Sequence, residues 1–129
     1  MLAALPGRVA AMAYSDASGL QAEPTQDVGG GLDLGWVDAG DWVRYEVNVP
    51  TAGMYRLDVR VAAPAAVADA FTLSVSGGGG ATLAVPATGG WQSWTTVTMA
   101  LTLPAGTRTI TVRANAPGWN LDGFSAATG

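Results

Sequence analysis

The sequence predicts an all-β protein folded as an antiparallel β-sandwich. Three observations carry that prediction. Apolar residues alternate with polar ones at a period of two instead of recurring at helical spacing. Turn residues, 18 Gly and 7 Pro in 129 positions, are spread over the whole length and leave little room for a helix. Hydrophobic residues make up 49% of the chain, enough to fill a core between two sheets.

The elements follow in order. From Trp42 to Val49, one parity is Val43, Tyr45, Val47 and Val49, and the other is Trp42, Arg44, Glu46 and Asn48. That is a strand with one buried face. Pro50-Thr51-Ala52-Gly53 turns the chain. Met54 to Val61 alternates again, with Tyr55, Leu57, Val59 and Val61 inward and Arg56, Asp58 and Arg60 outward. Ala65 to Ala70 is the single segment with helical character, and its shortness makes it a loop with at most one turn. Phe71, Leu73 and Val75 alternate with Thr72, Ser74 and Ser76 before the Gly77–Gly80 turn. Val97, Met99, Leu101 and Leu103 form the next inward row. Pro104-Ala105-Gly106-Thr107 leads into a strand from Thr109 to Arg113. No linker or internal repeat interrupts this pattern, which reads as one domain over residues 1–129.

Charge and composition exclude several functions. The six basic residues are all arginine, against ten Asp and Glu, for a net charge of −4. A nucleic-acid partner or an anionic membrane surface would need a basic patch, so neither is expected. With no Cys and no His, the chain has no thiol nucleophile, disulfide, Ser-His-Asp triad or Cys/His zinc site.

The tryptophans do not fit a plain sandwich. Five of the ten aromatics are Trp. Trp42 falls on the polar parity of its strand and is expected to face outward. Trp36 follows the glycine-rich stretch Gly29-Gly30-Gly31-Leu32-Asp33-Leu34-Gly35, Trp91 follows Gly89-Gly90, and Trp119 follows Pro117-Gly118. Trp94 opens a strand and suits a core or edge position. Taken singly, each loop Trp could plug the open end of the sandwich. Alternatively, they form a platform, because an indole stacks on the apolar face of a pyranose ring. A sugar also needs its hydroxyls satisfied, and Asn120 and Glu23 offer suitable amide and carboxylate groups.

Five blocks resemble the family 6 carbohydrate-binding modules: Leu5-Pro6-Gly7-Arg8-Val9, Gly19-Leu20-Gln21-Ala22-Glu23, the run from Gly35 to Pro50, Gly89 to Val97, and Trp119-Asn120-Leu121-Asp122-Gly123-Phe124. They occur in the family's order from about Leu5 to the C-terminus. The resemblance implies a jelly-roll sandwich and a non-catalytic module attached to a secreted polysaccharide-degrading enzyme. It implies a polysaccharide or oligosaccharide ligand and a monomeric isolated domain. The binding cleft lies in the loops at one end. Trp36 and Trp91 are the flanking aromatics, Asn120 bonds the hydroxyls, and Glu23 matches a carboxylate that contacts sugar in some members. Some members carry a second cleft on a sheet face, near the position of Trp42.

One departure concerns a metal. The family's Glu-Ala-Glu run, which binds a structural calcium together with a C-terminal aspartate, is Ala10-Ala11-Met12 here, while Asp122 is kept. Calcium needs several oxygen ligands, and neither Ala10 nor Met12 offers one from its side chain. Calcium is therefore expected to be absent or weak, with no cofactor required. An apolar patch around Met12 should stabilise the end of the first strand instead, leaving Asp122 a turn residue or hydrogen-bond acceptor as readily as a ligand. Glycoside hydrolysis would need two carboxyl groups flanking the scissile bond. The candidates Glu23, Asp33, Asp38, Asp41 and Asp122 mostly lie in turn contexts, and Glu46 suits a surface pair with Arg44. A binding module is thus expected, with a structural or interaction domain of a secreted protein as the alternative.

Overall fold

The computed structural model describes residues 3–27 and 30–128, so Gly29 of the stretch before Trp36 lies outside the described residues. Every regular element among them is a strand. One sheet has the order β1 (Ala3–Ala4), β6 (Trp42–Val49), β11 (Gly106–Ala114), β8 (Val67–Val75), β9 (Gly80–Val85), with β3 (Asp16–Ser18) also pairing to β6. The other has the order β10 (Thr95–Leu103), β7 (Gly53–Ala62), β12 (Asn120–Thr128), β5 (Leu32–Gly35), β4 (Gln21–Pro24), with β2 (Gly7–Ala10) also on β12. The chain changes sheets between β6 and β7, and again between β11 and β12, as a jelly roll does. All pairs are antiparallel except the short parallel pair of β1 with β6.

The alternation in the sequence becomes the core. Val43, Tyr45, Val47 and Val49 of β6 and Tyr55, Leu57, Val59 and Val61 of β7 are all buried, and Leu73, Ile110, Leu121 and Phe124 join them. Each fully buried aliphatic side chain contributes about 1.5–3 kcal/mol. The polar tips of the core tyrosines are satisfied. Tyr45 donates its hydroxyl to the carbonyl of Ala11 at 2.8 Å and Tyr55 to that of Thr51 at 2.7 Å. Tyr45 also meets Phe124 edge-on, with ring centroids 5.2 Å apart.

Three expectations are corrected. Val67–Ala70 belongs to β8 and is not a loop with a helical turn. Its register against β9 shifts between Val67 and Phe71, and Asp69 has φ 49°, so an irregularity interrupts the alternation there. Val97, expected in the inward row, is only half-buried, whereas Met99, Leu101 and Leu103 are buried. Met12 forms no buried patch. It sits in a turn with 36% of its surface exposed, and the buried residue there is its neighbour Ala11, held by its N–H on the Asp122 carbonyl at 3.1 Å.

Candidate functional site

The sheet containing β12 positions the site. Its register sets Leu121 opposite Leu34 and Asn120 opposite Ala62. The end of β5, the start of β12 and the loop before β10 therefore meet at one end of the sandwich. Trp36 leaves β5 with φ 51°, a left-handed conformation that is costly for a bulky side chain, on the order of 1–3 kcal/mol. Its indole is not recovered by burial, because 59% of it is exposed. Trp91, 50% exposed, stands on the loop from β9 to β10. Thr88 ties that loop to the end of β7: the Ala63 N–H donates to the Thr88 hydroxyl at 3.0 Å, and the Thr88 N–H and hydroxyl donate to the Ala63 carbonyl at 2.8 and 2.9 Å.

Between these indoles lies a cavity of about 630 Å³, lined by Glu23, Trp36, Val37, Trp91, Pro117, Gly118 and Asn120. The structure thus brings the four residues singled out for sugar contact to one place. Asn120 is buried and donates Nδ2–H to the Trp91 carbonyl at 2.8 Å, which leaves its Oδ1 free. Gly35 lies beneath both polar groups. A methyl group there would come within 2.9 Å of Asn120 Oδ1 and 3.1 Å of Glu23 Oε1, so only glycine lets the two side chains settle over the end of β5.

The other tryptophans are used differently. Trp119 is the end plug, buried against Phe71 with ring centroids 5.0 Å apart and donating Nε1–H to the Ala116 carbonyl at 2.8 Å. Trp94 is half-buried and donates to Gln92 Oε1 at 3.2 Å. Only Trp36 and Trp91 wall the cavity.

The sequence profile of carbohydrate binding module (family 6) matches residues 10–127. The chain belongs to this family. It is 36% identical to the family 6 module of Cellvibrio mixtus lichenase 5A, solved with cellotriose, with a TM-score of 0.82 and coverage of 96% of this chain and 98% of that one. A β-1,3-glucan-binding family 6 module from Bacillus halodurans is 31% identical, with a TM-score of 0.85 and coverage of 99% and 100%. The clotting factor G alpha subunit of Tachypleus tridentatus is 34% identical over 117 residues, 88% of this chain, and the chain spans 17% of that subunit's length. The protein is a carbohydrate-binding module with the family's β-sandwich.

The remaining carboxylates of the module are structural in their contacts. Among the described residues, Glu23 is the one carboxylate that lines the cavity. Asp38 and Asp41 close a turn on each other, with the Asp38 N–H donating to Asp41 Oδ2 at 2.8 Å. Asp27 takes two hydrogen bonds from Arg60, both at 2.8 Å. Asp122 accepts from Arg8 Nη2 at 3.3 Å, through both its carboxylate and its carbonyl. Burial first, and then the neighbouring Asp27, push the Asp122 carboxyl up to about 7, with the Arg8 charge opposing the shift. No group of three or more His, Cys, Asp or Glu side chains among the described residues is arranged to hold a metal. At the place of the family's calcium, Ala10 and Met12 offer no side-chain oxygen, and Arg8 contacts the Asp122 carboxylate.

Trp42 is half-buried on the outer face of β6, as its parity predicts, with the Arg44 guanidinium 4.1 Å from its ring centroid. It lies apart from the cavity lining. Two further residues matter to the cleft. Asp33, one of the carboxylates expected near the cleft and mostly in turn contexts, is instead fully buried in strand β5 opposite Glu23, and its Oδ1 has no hydrogen-bond partner. Burial pushes its carboxyl up to about 6, a hydrogen bond from Gln92 opposes this, and the Glu23 carboxylate raises it further. Nothing in the sequence around Gln92 marks it as a cleft residue. For Asp33 the available signal was the Leu32-Asp33-Leu34 run, a charge set between two leucines in a strand.

Proposed function

We propose that the module binds a neutral polysaccharide or oligosaccharide in the loop-end cleft, seating a sugar ring against Trp36 and Trp91. Asn120 Oδ1 and Glu23 accept hydrogen bonds from the ring's hydroxyls. The observation that carries this reading is the exposure of two large indoles, 59% and 50%, on the walls of one cavity whose floor holds two polar groups. A folded chain gains nothing by leaving such apolar area wet unless a ligand covers it. Affinity should be modest, on the order of micromolar to millimolar, because one or two sugars bury little area and water competes for every hydroxyl. The cellotriose complex and the β-1,3-glucan binding of the two structural relatives support a β-glucan as the first ligand to try.

The module acts by targeting: it brings an attached, secreted polysaccharide-degrading enzyme to its substrate and performs no catalysis itself. A single cavity carboxylate supports this, since hydrolysis calls for a pair of carboxyl groups roughly 5–10 Å apart about the bond. Calcium is not required, because Ala10 and Met12 bring no side-chain oxygen to it and Arg8 already contacts Asp122. A sheet-face site at Trp42 would need the Arg44 guanidinium to move aside, which places it second to the loop-end cleft. Affinity gel electrophoresis against soluble β-glucans tests the reading. Wild type should be retarded and Trp91→Ala should run free, while equal retardation of the two would reject it.

A further inference from the structure

Trp91 supplies the cavity wall, and its carbonyl anchors Asn120. The next residue, Gln92, does not line the cavity but reaches beneath it. Its Nε2 amide donates to Glu23 Oε2 and, at 2.9 Å, to Asp33 Oδ2. A primary amide has two hydrogens, so it can serve both carboxylates at once. Its orientation is fixed from the other side, because Gln92 Oε1 accepts the Gln26 N–H at 2.8 Å and the Trp94 indole N–H at 3.2 Å. Reversing the amide would set oxygen against two carboxylates and nitrogen against two N–H donors. Glu23 is thus held by an amide that cannot turn.

We propose that Gln92 is a positioning residue for sugar recognition: it holds Glu23 so that Oε1 stays over Gly35 beside Asn120 Oδ1, presenting two acceptors to the ring. This rests on the loop-end cleft being the binding site. The dipeptide Trp91-Gln92 then organises the whole cleft, one residue giving the stacking face and fixing Asn120, the other fixing Glu23. Asp33 takes the second amide hydrogen and commits Gln92 to that side.

Two variants separate positioning from simple anchoring of the loop. Gln92→Glu keeps an oxygen for Gln26 and Trp94 but replaces the donors with a carboxylate that repels Glu23 and Asp33, whereas Gln92→Met loses donors and acceptor without adding charge. Titrate cellotriose and soluble β-1,3-glucan calorimetrically at pH 8 into wild type, both variants, Glu23→Ala and the double variants, with thermal melts to confirm folding. Both Gln92 variants should weaken binding roughly ten-fold, as loss of a charge-assisted contact does. On a Glu23→Ala background they should cost almost nothing further, since the effect passes through Glu23. Equal losses with and without Glu23, or a benign Gln92→Glu, would overturn the proposal. Retained affinity in Trp91→Ala would instead reject the cleft itself. Crystal structures of the Gln92 variants give a readout free of ligand: Glu23 should leave its place over Gly35 while Trp36 and Trp91 hold theirs, and an unmoved Glu23 is contrary evidence.

Discussion

The loop-end cleft and the outer face of β6 both present tryptophan beside polar groups, yet they differ in what covers the ring. Trp42 is half-buried, and its face is occupied by the guanidinium of Arg44 from the same strand. Trp36 and Trp91 have no such cover and wall a cavity of about 630 Å³. The backbone differs too. Trp42 sits in a regular strand, whereas Trp36 is held at φ 51° beyond the end of β5. An outward indole alone therefore says little about binding. An indole kept exposed at a conformational cost, above fixed polar acceptors, says much more.

The contrast predicts a graded set of effects. Trp91→Ala and Trp36→Ala should each reduce β-glucan affinity at least ten-fold, since each aromatic platform is worth on the order of 1–3 kcal/mol by analogy with base stacking. Circular dichroism of both variants should match wild type, because neither indole is part of the core. Asn120→Ala should weaken binding about ten-fold, as measured by calorimetry. It should also lower stability by about 1–2 kcal/mol in urea, because the buried contact to the Trp91 carbonyl is lost along with the sugar acceptor. Trp42→Ala should change affinity by less than about two-fold, since it removes only a ring already covered by Arg44.

Stability itself should depend on pH through Asp33. Its carboxyl is pushed from 3.8 up to about 6, so between those values the folded state holds a proton that the unfolded state has released. The stabilisation is fully present below 3.8 and is lost as pH rises through 6. The melting temperature should therefore fall by a few degrees between pH 5 and pH 7.5. Asp33→Asn, which carries no titrating group, should lessen that slope in a melt series across the same range, leaving the part due to Asp122, whose carboxyl is pushed up to about 7.

Much of the sandwich was legible because its central strands obey strict alternation. Trp42–Val49 appears with the bounds its parity implies, and the inward rows of β6 and β7 are the core. What escaped lacks a pattern to read. β1 to β5 are two to four residues long, too short to show a period, and Val67–Ala70 is hidden by small residues and an irregular register. In the cleft, the residues facing solvent were found because an indole in a loop is conspicuous. Gln92 and Asp33 act from below through long-range contacts, and nothing local marks a glutamine that spans two carboxylates 59 and 69 positions away. The Met12 patch failed for a related reason: loss of charged residues predicts apolar character, but it does not say which neighbour is buried.

Calorimetric titration of one soluble β-glucan into wild type, Trp91→Ala and Trp42→Ala, run side by side, tests the central claim most directly. Heat of binding should vanish in Trp91→Ala and persist in Trp42→Ala. Loss confined to Trp42→Ala, with Trp91→Ala binding as wild type does, would move recognition to the sheet face and contradict the account.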